Sequence, residues 1–304
     1  MVSGSNTENI FRHALREGEA ALLIVDESLE TRTASLCDLL VAINSGSIQL
    51  ALKEKKSQRI LALENFRFTD SKKEYNWTNM LEHVSGKSHL LRNYEFSKSV
   101  IGVFTPYYTC VPDALFKKGD ERTYLEFNFG NSMSGQRLMS TQLDTLQVNV
   151  VFGVPEDLNR EIQHLFEDPQ IVHLSSTLLE STLLNSRTRQ EKDMFLHVRK
   201  DHLDVLVMEG KNLLLINTYP CAGPEDILYF ALMVCDQLGL DPDSLMVRLA
   251  GEAEKESAIY KLLYRYFRNL QFAQAPATIK FTYNFGKKSL HPYISLFSLA
   301  LCES

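Results

Sequence analysis

Two stretches of this chain repeat one order of elements, and that repetition restricts the fold more than any other feature of the sequence. In the first stretch, residues 39–43, 48–52 and 60–68 are apolar, strand-like and separated by short polar turns. Ile48, Leu50 and Leu52 alternate with Gln49, Ala51 and Lys53, the period-two pattern of a strand. Trp77, Met80, Leu81 and Val84 recur at helical spacing, with Gly86 just beyond. A strand over 100–104 follows, then a helical region opened by Pro112-Asp113. A strand over 146–152 ends at Gly153, and Pro155-Glu156-Asp157 opens a helix with Leu158, Ile162, Leu165 and Phe166 on one face.

The second stretch repeats this order more clearly. Residues 195–198, 203–208 and 213–217 form another three-strand meander, with Glu209-Gly210-Lys211-Asn212 as its second turn. Gly223-Pro224-Glu225-Asp226 is a strong helix start, because proline fits the first turn and acids favour the positive end of the macrodipole. That helix runs to Leu238 and stops at Gly239; its apolar residues cover most of its circumference, so it is buried on more than one side. A strand over 245–250 follows. Gly251 then precedes a long helix with Ile259, Leu262, Leu263, Tyr266, Phe267 and Leu270 on one face. A last strand over 279–283 and an apolar helix over 293–301 complete the chain.

Each half therefore reads as a β-meander followed by helix, strand, helix, strand, helix. This is a duplicated α/β domain with mixed sheets flanked by helices, not a solenoid of short repeats. The 304 residues suffice for two such domains, divided as 1–190, with loosely ordered opening residues 3–9, and 191–304. In each sheet the meander is antiparallel and the later strands run parallel to its first strand.

A doubled unit of this order resembles the actin-like ATPase fold, itself two ribonuclease H-like domains. The runs VFGVPEDLNREI (151–162), GPEDILYFALMVCDQLGLD (223–241), SAIYKLLYRYFRNLQF (257–272) and HPYISLFSLALCE (291–303) resemble a small bacterial family of unknown function assigned to that fold. More remotely, the layout is similar to the actin-like proteins of pilus and secretion assembly, which act chiefly through protein contacts. The resemblance implies a nucleotide cleft between the halves. In that superfamily the first hairpin carries an apolar–Asp-x-Gly–Thr/Ser pattern, the second domain repeats it, and a late strand ends in a Gly-Gly turn against the adenosine.

All three positions are altered. Asn44 stands where the pattern has its acid, while Gly46 and Ser47 match. Hard cations favour charged oxygen ligands, and Asn44 lacks that charge. Asn-Ser-Gly is also good turn chemistry in any hairpin. The second hairpin, Arg199-Lys200-Asp201-His202, has no glycine; Asp201 could meet a metal and its basic neighbours a phosphate, but a solvated charged turn is the simpler reading. His197 and His202, five apart on extended chain, face opposite sides and make no metal pair. At the third position Gly251 is kept but the second glycine is Glu252, with Glu254 and Glu256 following at the expected helix start. Those acids would repel a nucleotide's phosphates unless a metal intervened.

Other motifs add no chemistry. The small-residue loop 130–136 lacks the lysine of a phosphate-binding loop, and no G-x-S-x-G nucleophile motif occurs. Fourteen glycines are few for a chain that cradles phosphates on bare backbone. The net charge of −6 opposes nucleic-acid binding. The first twenty residues carry Glu8, Arg12, Arg16, Glu17 and Glu19 and no apolar leader core, and no apolar run approaches the roughly 20 residues a membrane span needs. Five scattered cysteines, never in C-x-x-C spacing, fit a reduced compartment. The expectation is a cytoplasmic, non-catalytic module that binds another protein, with no nucleic acid, no membrane insertion, no metal and no cofactor. Asn44, Gly46, Ser47, Asp201, Gly251 and Glu252 would mark a vestigial nucleotide cleft. The alternative is a divergent ATPase or phosphotransferase, which would use ATP and Mg²⁺ at those residues.

Overall fold

The computed structural model describes residues 20–30, 34–68, 77–186, 191–286 and 288–302. The opening residues 3–9 lie outside them. The first sheet is built on β2 (Cys37–Asn44), β3 (Ser47–Glu54) and β4 (Arg59–Arg67), an antiparallel meander; β1 (Ala20–Val25) covers its outer edge by pairing with β4. Two helices, α1 (Trp77–Lys87) and α2 (His89–Asn93), lead to β5 (Lys98–Val103), which runs parallel to β2.

An insertion follows. It comprises β6 (Tyr108–Pro112), α3 (Glu121–Phe129), β7 (Gln136–Leu143), β8 (Val148–Pro155) and α4 (Glu156–Leu165), its strands forming a separate antiparallel sheet ordered β6-β8-β7. The helical region expected to open at Pro112 begins instead at Glu121, and Pro112 ends a strand. Proline is tolerated because β6 is an edge strand, where a missing N–H breaks no ladder. The chain then returns to the first sheet through β9 (Gln170–His173), parallel to β5, and enters α5 (Leu174–Ser186).

The second half repeats the arrangement. The meander β10 (Lys192–Val198), β11 (His202–Glu209), β12 (Asn212–Pro220) is followed by α6 (Pro224–Leu238), β13 (Met246–Gly251), α7 (Ala258–Leu263) and β14 (Asn269–Phe272). Its order, β12-β11-β10-β13-β14, matches β4-β3-β2-β5-β9 of the first sheet. Gly223 and Pro224 start α6, and Gly239 ends it in the left-handed region at φ 60°, as the sequence predicts. The long helix expected after Gly251 is shorter. Ser257 caps α7 by accepting from the Tyr260 N–H, the helix stops at Leu263, and Leu270 lies on a strand opposite Val247. Glu252, Glu254 and Glu256 therefore precede the helix cap rather than occupying the first turn.

Beyond β14 the chain crosses back to the first half. β15 (Lys280–Phe281) pairs parallel with β4, and α8 (Ile294–Ser298) with its flanking 3₁₀ turns lies on β2 and β3. Leu40, Ala42, Val100 and Phe104 pack there with Leu296, Phe297 and Leu299, while Leu39, Val41 and Ile43 face the opposite core. This explains a departure from the alternating pattern of β3. Gln49 and Lys53 are buried, not solvated, because the C-terminal segment covers their face and offers the Pro292 and Ala300 carbonyls, each at 3.5 Å. The opposite core joins the halves directly, since Phe195, Leu206 and Ala250 of the second share it with Leu50 and Ile101 of the first. No helix among the described residues is long and apolar enough to cross a membrane.

Candidate functional site

The ends of β2, β10 and β13 meet in one cleft. Asn44, Gly46, Ser47, Gly251 and Glu252 all line it, so five of the six predicted residues come together; Asp201, the sixth, joins them through Ser45. Asn44 and Ser47 face each other across the first hairpin, leaving Ser45-Gly46 as a two-residue turn. Gly46 serves close approach here, because a Cβ on it would sit 2.5 Å from Lys200 Cδ. Across the cleft, Ser45 Oγ donates to Asp201 Oδ1 at 2.6 Å. The same oxygen lies 2.8 Å from His202 Nδ1; that bond, together with the Ser45 hydroxyl, holds the Asp201 carboxyl below its ordinary range against partial burial.

Arg199 is the central group, and it is not the solvated turn residue that the sequence suggests. It directly follows β10, is 5% exposed, and reaches across to donate through Nη1 to Asn44 Oδ1. Its Nε and Nη2 donate to Asp204 Oδ2 at 2.9 and 2.7 Å, and its guanidinium carbon lies 4.1 Å from the Phe104 ring centroid. Burial alone would raise the Asp204 pKa; Arg199, His197 and the Thr218 hydroxyl at 2.7 Å reverse this and hold the carboxyl below its ordinary range. The Tyr108 hydroxyl of the insertion lies 3.1 Å from Thr218, extending the polar cluster to a third element. Sequence reasoning missed Asp204, Thr218, Tyr108 and Phe104 as site residues. The only local signal is an aspartate within the otherwise apolar run 203–208.

The third corner is fixed by backbone. Gly251 has φ 82°, and a Cβ there would lie 2.0 Å from the Val198 carbonyl oxygen. That oxygen accepts from the Glu252 N–H at 2.8 Å, so the glycine lets β13 close tightly against β10. Nearby, His291 Nε2 meets the Ala253 carbonyl at 2.6 Å, pinning the C-terminal segment to the same loop.

The profile of the family described as "Protein of unknown function (DUF3822)" matches residues 26–270. The chain belongs to this family. Among solved structures it is similar to a protein with actin-like ATPase fold and unknown function from Bacteroides thetaiotaomicron VPI-5482. That match has a TM-score of 0.73 and 18% identity, and covers 90% of this chain and 99% of the other. It is also similar to a chain of the PilM–PilN type IV pilus biogenesis complex, with a TM-score of 0.56 and 11% identity over 87% and 96% of the two chains. No curated protein matches. The fold of this family member is thus that of the actin-like ATPases.

Between the halves, where the resemblance implies a nucleotide and Mg²⁺, residues of the two hairpins are bound to one another. The cavity volume is about 20 Å³, room for one water molecule; small-molecule pockets are typically 300–1,000 Å³. Asn44 offers an amide rather than a carboxylate to the cleft, and the Arg199 guanidinium spans from Asn44 to Asp204. Among the described residues no group of three acidic, histidine or cysteine side chains is placed to hold a metal.

Proposed function

We propose that this chain is a non-catalytic actin-like module that acts in the cytoplasm by binding another protein. One observation carries the reading: the two hairpins that would grip a nucleotide grip each other, through Arg199 to Asn44 and Ser45 to Asp201. A structural neighbour solved as a complex with a second protein supports a protein partner. The net charge of −6 disfavours nucleic acid. The C-terminal stretch 293–301 is core rather than contact surface, since Tyr293, Leu296, Phe297 and Leu299 are buried on the first sheet.

The test is thermal unfolding with and without ATP–Mg²⁺. A ligand at 100 times its Kd adds about 2.7 kcal/mol of stability, which a melting curve resolves. The expected result is no shift at millimolar nucleotide. A stabilisation that Gly46→Val abolishes would overturn the reading and identify the chain as a divergent ATP-binding protein.

A further inference from the structure

Gln49 and His197 line the cleft from opposite halves, and each carries a buried polar atom that no described residue satisfies. Gln49, on β3, is 7% exposed; its amide nitrogen donates to the Pro292 carbonyl at 3.5 Å, and its Oε1 has no donor. His197, on β10, is 3% exposed, and neither ring nitrogen has a hydrogen-bond partner. Asp204 Oδ2 lies 3.7 Å from its Nδ1, too far for a hydrogen bond. Burial, aided by the Arg199 charge, pushes this imidazole down to about 3. The ring is therefore neutral, with one N–H and one lone pair to satisfy. Ser47 and Ser295, both buried, line the same cavity.

A cavity holds a resident water when it is polar, has room for one probe-sized sphere and offers two to four partners. This cavity meets each condition. We propose that the cleft is a binding site for a single water molecule bridging Gln49 Oε1 of the first half and a ring nitrogen of His197 of the second. The water donates to the amide oxygen and to the unprotonated ring nitrogen, and accepts from a serine hydroxyl. The Arg199 charge is already matched by Asp204, so no anion is required. The site completes the junction that Arg199 begins and goes beyond the proposed function, which concerns the partner outside the cleft.

High-resolution crystallography of the full chain should show one density peak about 2.7–3.2 Å from both Gln49 Oε1 and a His197 ring nitrogen. An empty cavity, or an occupant coordinated as an ion, would overturn the proposal. Oxygen-17 magnetic relaxation dispersion in solution counts long-lived internal waters independently. Gln49→Met and His197→Phe, each confirmed folded by circular dichroism, should lower that count by one, and the double variant by one rather than two. An unchanged count in both single variants would refute the bridge. A nucleotide-induced thermal shift would instead refute the proposed function, so the two failures remain distinct.

Discussion

Replacing Arg199 with methionine tests the central geometry. The substitution keeps a long unbranched side chain and removes the charge from a pair whose side chains are 1% and 0% exposed. Breaking a buried ion pair by removing one partner typically costs about 3–5 kcal/mol, because the other charge stays buried. Asp204 would keep only the Thr218 hydroxyl and the neutral His197 ring beside it. The pH dependence supplies a second signature. In the native protein Asp204 is held below its unfolded pKa, so its contribution is present at neutral pH and lost as pH falls through the folded value. Without Arg199 the burial that already opposes ionisation prevails, and the folded pKa rises above the unfolded one. The stability deficit should then be larger at pH 8 than at pH 5. His197, relieved of the same positive neighbour, protonates more readily and acts in the same direction. Urea unfolding followed by circular dichroism and by the fluorescence of Trp77, the single tryptophan, measures both quantities. Arg199→Met/Asp204→Leu should recover most of the loss, since apolar replacement of both partners is often neutral. A single-variant loss below about 1 kcal/mol, a deficit independent of pH, or a double variant no better than the single would each refute the argument.

Three further outcomes are expected. Gly251→Ala should destabilise by more than about 2 kcal/mol, because it combines a left-handed φ with a backbone collision at 2.0 Å; Gly239→Ala, at φ 60° in open space, should cost only about 1–2 kcal/mol, and thermal melts of the pair give the difference. Glu180, whose carboxyl is pushed up to about 7 by burial on α5, binds a proton in the fold that the unfolded chain releases, so its stabilising effect is lost as pH rises from 4.5 through 7. Glu180→Gln should therefore exceed the native protein by about 1 kcal/mol at pH 8, after discounting for partial exposure, and match it at pH 5 in urea unfolding. Burial keeps His173 and His197 neutral, down to about 4 and 3 against 6.5 unfolded, so stability falls as pH drops below 6.5; the two together should lose roughly 4 kcal/mol by about pH 5, and a pH series of unfolding midpoints should flatten in His197→Phe.

The order of elements was legible because each signal is local. Period-two runs marked both meanders, and Gly223-Pro224 and Gly239 bounded α6 by the conformations those residues favour. The errors fell where a partner distant in sequence decides the outcome. Leu263, Phe267 and Leu270 fit a helical face, yet Leu270 belongs to a strand because the open edge of β13 lies beside it. Pro112 resembles a helix opener until the insertion makes β6 an edge strand. Asn44, Gly46, Ser47 and Gly251 were locatable because the fold brings corresponding loops of its two halves to one cleft. The burial of Arg199 was not, since the turn 199–202 is polar throughout and the groups that bury it, Asn44 and Phe104, lie far earlier in the chain.

The junction also sets how strongly any ligand would have to bind to separate the halves. Opening the cleft parts Arg199 from Asn44 and Phe104, Ser45 from Asp201, and Lys200 Nζ from the Phe68 carbonyl at 3.3 Å. Hydrogen bonds involving a charge contribute about 1.5–3 kcal/mol each when buried and less when exposed, and a cation–π contact adds roughly 0.5–2. Re-solvation of the separated groups makes the lower ends appropriate, so loss of these polar contacts, before any parting of the shared apolar core, costs about 3–5 kcal/mol. A ligand that requires the open form then has its apparent Kd raised by a factor of about 10² to 10⁴. Arg199 with Asn44, and Asp201 with Ser45, already join the two halves, so any ligand that needs them apart must first offset the loss of these contacts.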